Sequence, residues 1–187
     1  YPDGNLSHGR RLGLDNPKRL YRNGGFGGWT AAQMLSRIAT EYGGLQEGST
    51  VPVGTRWNNP TKRQVVLMEI PTADVTAGTA TATIISNLTA IRLLFRQSGY
   101  DLLVNALAPS SAWNATQLTA MDDINTAMAA LNERRYGKFH ARPAQLDSPA
   151  DTIYFDADGL HYTKAGYDVL YDANKAHIES MLARPVS

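Results

Sequence analysis

Two stretches of the chain are apolar almost without interruption. Gln64-Val65-Val66-Leu67-Met68-Glu69-Ile70 ends at Pro71, and Leu102-Leu103-Val104-Asn105-Ala106-Leu107 is stopped by Pro109. Such runs predict strands buried on both faces. Lys18 to Arg22 is a short candidate strand leading into the glycine-rich run Asn23-Gly24-Gly25-Phe26-Gly27-Gly28, and Lys138 to Ala141 is another short one. Between them the apolar positions take helical spacing. Thr30 is placed as an N-cap before a helix carrying Met34, Leu35 and Ile38, which stops at Gly43-Gly44. Ile84, Leu88, Ile91 and Phe95 mark the inner face of a second helix. Leu118, Met121, Ile124, Met128 and Leu131 mark a third. A last helix is predicted over residues 163–182, with Tyr167, Leu170, Ala173, Ile178 and Met181 inward. Residues 45–62 are polar and rich in glycine and proline, and read as a surface excursion.

Strand and helix alternate from end to end. That order predicts an α/β domain, a three-layer α/β/α sandwich with helices on both faces of a parallel sheet. In such folds ligands bind at the carboxyl ends of the strands. The loops expected to carry chemistry are therefore 3–9, 23–30, 71–78, 109–114 and 143–162. A length of 187 residues favours one domain, and 43% hydrophobic against 19% charged residues supplies a core. A net charge of +1 gives no reason to expect nucleic acid or a membrane surface as partner. The chain has no cysteine, which excludes disulfides, thiol catalysis and zinc–thiolate sites. No apolar run approaches the roughly 18 residues of a membrane helix. Nothing in the residues calls for a cofactor or metal.

The chemistry gathers in the last of these loops. Asp158 and His161 lie three residues apart, a spacing that lets the carboxylate fix the imidazole through Nδ1 and leaves Nε2 as a base. A capping Asp beside a surface His would read the same way in isolation. The surrounding block Asp158-Gly159-Leu160-His161-Tyr162-Thr163-Lys164-Ala165-Gly166-Tyr167, leading into a terminal amphipathic helix, closely resembles the final block of the SGNH (GDSL-type) hydrolases. The glycine-rich run ending at Gly28 resembles that family's second block. The resemblance implies a flavodoxin-like sheet, Asp158 and His161 as acid and base, and the Gly28 backbone N–H as an oxyanion donor.

Two departures from the pattern are as informative as the matches. The family opens on Gly-Asp-Ser-Leu-Ser-x-Gly, and the matching stretch here is Asp3-Gly4-Asn5-Leu6-Ser7-His8-Gly9, so Asn5 stands where the nucleophilic serine belongs. The third family block, Gly-x-Asn-Asp, reads Pro71-Thr72-Ala73-Asp74, so Ala73 replaces an oxyanion-donating Asn. A carboxamide is not a nucleophile that a histidine activates, and a methyl group donates nothing. The sequence thus points to a degenerate SGNH-like domain acting as a binding or structural module. The alternative is an esterase, most like a carbohydrate O-acetylesterase, that uses Ser7 as nucleophile with the Asp158/His161 pair. A water-activating route without a covalent step is a further option. Asp74 is expected to hold its loop together.

The expected ligand is a glycan or an acyl ester, with Trp29, Trp113 and Tyr162 as candidate stacking surfaces and ordinary packing as the competing reading for each. The resemblance also implies a buried central strand before the first block, where this sequence has only Tyr1 and Pro2. The expectation is a strand donated by an upstream segment or by another chain, in a larger extracellular, surface or virion-type assembly. A smaller sheet is the alternative. Asn-x-Ser/Thr sequons stand at Asn5, Asn87 and Asn114.

Overall fold

A computed structural model of the chain describes residues 28–41, 65–97, 100–131 and 137–183. Its elements are α1 (Ala31–Glu41), β1 (Val65–Glu69), α2 (Thr72–Thr76), α3 (Thr81–Gln97), β2 (Asp101–Asn105), α4 (Ala115–Ala130), β3 (Gly137–His140), a 3-10 turn (Ala144–Leu146) and α5 (Lys164–Leu182). The first sequence block, the candidate strand at Lys18 to Arg22 and the excursion at 45–62 lie outside the described residues.

The described strands form a parallel sheet in the order β1-β2-β3. Val65 pairs with Asp101 and Glu69 with Asn105, while Leu102 pairs with Gly137 and Asn105 with His140. Side chains alternate across this sheet, as the two-residue repeat of a strand requires. Val66, Met68, Leu102, Val104 and Phe139 belong to the cluster with Ile84, Leu88, Ile91 and Phe95 of α3 and Met121, Ile124 and Met128 of α4. Val65, Leu67 and Leu103 turn to the other face, against Tyr171, Ile178 and Met181 of α5. The sheet is therefore the middle of three layers. Strands β1 and β2 are apolar on both faces because both faces are covered.

The helices start where their sequences provide caps. Gln33 N–H donates to Thr30 Oγ1 at 3.3 Å, and Thr30 N–H donates to Gln33 Oε1 at 2.9 Å. Asn114 and Gln117 make the same reciprocal pair at the start of α4. These boxes satisfy amide donors that a helix leaves free at its first turn. Gln117 goes further: its Nε2 donates to Val75 O at 3.1 Å, tying α4 to α2.

The sequence expectations differ from the structure in small and explicable ways. The run 71–78 contains the short helix α2 rather than a plain loop, because Pro71 presets an extended entry (φ −70°) and Ala73, Asp74 and Val75 then close a turn. Ala173 is only half-buried, and the inner face of α5 is instead filled by Tyr171 and Asn174. Trp113 is core: it is 7% exposed and its Nε1 donates to Thr76 Oγ1 at 3.1 Å.

Candidate active site

The last loop folds back on itself between residues 154 and 163. Phe155 and Tyr162 bridge as antiparallel partners. Asp156 N–H donates to His161 O at 2.8 Å and Thr163 N–H to Tyr154 O at 3.0 Å. Gly159 N–H closes the tip on Asp156 O at 2.8 Å, with Gly159 at φ +59°. A left-handed backbone of that kind suits glycine. Thr163, at the foot of the hairpin, caps α5 by accepting from Gly166 N–H at 3.3 Å.

This hairpin presents Asp158 and His161 together. Asp158 Oδ1 accepts from Leu160 N–H at 2.9 Å and from His161 N–H at 3.0 Å. Its other oxygen, Oδ2, lies 2.5 Å from His161 Nδ1. The backbone N–H of His161, then its side chain, then the backbone N–H of Leu160 pull the Asp158 carboxyl down to about 2 from 3.8. A carboxylate that stays ionised opposite Nδ1 holds the proton on that nitrogen and leaves Nε2 with its lone pair outward. Both side chains are about half-exposed. The pair has the geometry in which an imidazole can act as a base, and it is open to whatever enters beside it.

A cavity of about 120 Å³ lies beside His161, at the carboxyl ends of β1 and β2. Glu69, Asn105, His161, Tyr162, Tyr167 and Leu170 contribute to its wall. Tyr162 is fixed there by ring contacts, 5.1 Å to Phe155 and 5.5 Å to Tyr167 between centroids. The position agrees with the rule that ligand sites of open parallel sheets lie beyond the strand ends.

Gly28, Trp29 and Ala73 are not among the residues that line this cavity. Gly28 is exposed, with φ +76°. Trp29 is half-buried, with the Arg37 guanidinium 5.7 Å from its ring centroid. Ala73 lies in α2, half-buried and without a polar side-chain atom. Its neighbour Asp74 is buried, and Oδ2 accepts from Ala31 N–H at 2.5 Å. That bond joins the third block to the start of α1, where a carboxylate also complements the helix dipole. Asn5 and Ser7 lie outside the described residues. Sequence reasoning missed Glu69 and Asn105 as wall residues. Each is a polar residue at the carboxyl end of its strand, a position that does not by itself say that the two share a wall.

No protein-family model matches the sequence, and no curated protein is similar to it. Solved structures are. A psychrotrophic esterase, EstA, from Pseudoalteromonas sp. superposes with a TM-score of 0.70 at 14% identity, over 96% of this chain and 90% of that one. A GDSL-like lipase from Bacteroides thetaiotaomicron gives 0.65 at 18% identity, over 92% and 80%. A carbohydrate esterase of family 3 from Talaromyces cellulolyticus gives 0.58 at 18%, over 89% and 77%. At these identities the likeness is one of architecture, and it establishes that the chain has the α/β fold of the GDSL/SGNH-type esterases and lipases.

Proposed function

We propose that this domain binds a ligand in an SGNH-type cleft and does not turn over esters by the family's covalent route, serving as a binding or structural module of a larger assembly. The observation that carries this reading is Ala73. It stands in α2 at the third-block position with only a methyl group to offer. The loss of one oxyanion donor is worth on the order of 10²–10³ in rate. The first block adds Asn5 in place of the nucleophile, and without a nucleophile the acyl-enzyme step has no bond to form. The fold neighbours support the cleft, since among them are an esterase, a lipase and a carbohydrate esterase. A glycan or an acyl ester is the ligand class that this resemblance favours.

The test is hydrolysis of p-nitrophenyl acetate by the whole chain and by His161→Ala. The expected result is no difference between them. Turnover that disappears in His161→Ala overturns the reading.

One observation favours a second reading. The Asp158–His161 pair is fully assembled, at 2.5 Å and with both Asp158 oxygens engaged. An active esterase using Ser7 would need this pair as its base. Covalent labelling of Ser7 by an organophosphonate would establish that alternative and name the nucleophile.

A further inference from the structure

Asn105 is a buried side chain whose hydrogen-bonding groups go unused. It is 4% exposed, yet neither its Nδ2 nor its Oδ1 has a hydrogen-bond partner among the described residues. A neighbouring case shows how the fold treats a comparable amide: Asn125 Oδ1 accepts from Leu107 N–H at 2.8 Å, and its Nδ2 donates to Leu107 O at 3.0 Å. An orphaned buried amide is destabilising, and native folds rarely keep one without a use. Asn105 is at the carboxyl end of β2 and forms part of the cavity wall shared with His161. The side chain of Asn174 is in the same condition, but it does not line this cavity.

The surroundings restrict what the amide could meet. The cavity, at about 120 Å³, holds more than a single water. An occupant that satisfies Asn105 must accept from Nδ2 and donate to Oδ1. An ester carbonyl only accepts, and would leave Oδ1 unpaired. A carboxylate has the same deficiency. Two adjacent hydroxyl groups do both. Tyr162 and Tyr167, also in the wall, are aromatic residues of the kind that pack on the C–H face of a sugar.

We propose that Asn105 is the recognition residue of this cavity and that it binds a vicinal hydroxyl pair of a neutral sugar. The inference rests on the reading of the cleft as a ligand site, and narrows it to a carbohydrate held by a named side chain.

The test is nuclear magnetic resonance of the isotopically labelled whole chain, titrated with methyl glucoside, methyl galactoside and methyl mannoside, and separately with ethyl acetate. At least one glycoside is expected to move the Asn105 side-chain NH₂ signals. Its affinity should fall about tenfold to thirtyfold in Asn105→Leu, which removes two neutral hydrogen bonds at similar volume. Asn105→Asp keeps the shape and loses the donor, and should weaken binding likewise. The wild-type NH₂ signals report independently of how either variant folds. A glycoside that binds without moving those signals, or binds Asn105→Leu equally well, overturns the role of Asn105. Ethyl acetate moving the His161 ring signals while no glycoside binds overturns the sugar and leaves the cleft standing. If neither probe moves Asn105 or His161, both readings fall.

Discussion

Asp158 does two jobs with two oxygens, and they separate on substitution. Oδ1 receives the Leu160 and His161 backbone donors, while Oδ2 faces the imidazole. In Asp158→Asn the amide oxygen can still receive the backbone, but an NH₂ group then faces Nδ1. His161 is expected to switch to the tautomer protonated at Nε2, which nitrogen chemical shifts of the ring would show, with the hairpin intact. The carboxyl of the wild type should titrate near 2 by carbon resonance. Its folded value lies below the ordinary one, so its contribution to stability is present above about pH 4 and is lost as pH falls toward 2. The Asp-x-x-His pair is legible in the sequence because three residues of local chain decide it. Asn105 is not, because an orphaned amide is defined by what the rest of the fold fails to bring near it.

At the scale of elements, two glycines seat the hairpin against its neighbours. A Cβ on Gly166 would stand 2.3 Å from Tyr154 O and 2.9 Å from Tyr162 Cβ. The first turn of α5 therefore touches the hairpin backbone with no room for a methyl group. Gly166→Ala should destabilise the fold by about 1–3 kcal/mol, seen as a lowered Tm, because a backbone oxygen cannot step aside as a flexible side chain can. At Gly159 the Cβ would meet Ser111 Oγ at 1.9 Å, on a backbone already at φ +59°. Ser111 N–H donates to Gly159 O at 3.1 Å, which fastens the hairpin tip to the loop after β2. Gly159→Ala is expected to loosen that join and broaden the His161 resonances. Helical spacing makes α3 and α4 legible in the sequence, since apolar residues at that spacing dominate their inner faces, with Arg92 also buried on α3. The inner face of α5 is less legible: Asn174 breaks the pattern, and polarity there gives no sign of burial.

For the molecule as a whole, the three-layer order follows from the alternation of apolar runs and amphipathic stretches. Val65–Glu69 and Asp101–Asn105 are readable as strands because both of their faces are covered. The same alternation places a cavity at the strand ends. Its wall is not readable, because Glu69, Asn105 and Tyr167 come from three elements far apart in sequence. The proposed reading of positions 5 and 73 can be tested at this scale. On the proposed reading, Asn5→Ser combined with Ala73→Asn supplies a nucleophile and an oxyanion donor beside the Asp158–His161 pair. The double variant is expected to hydrolyse p-nitrophenyl acetate in a His161-dependent way, and the Ala73→Asn change to account for roughly 10²–10³ of the rate.

The hairpin from Tyr154 to Thr163 explains how Asp158 and His161 come to face each other. Its bridge, its tip and the three contacts of the Asp158 carboxylate are made within ten consecutive residues. The Asp158–His161 contacts are local to the hairpin, while Ser111 and Gly166 seat that hairpin against its neighbours. The presence of such a pair is therefore decided by local folding, and by itself it does not require that the rest of the cleft carry out chemistry.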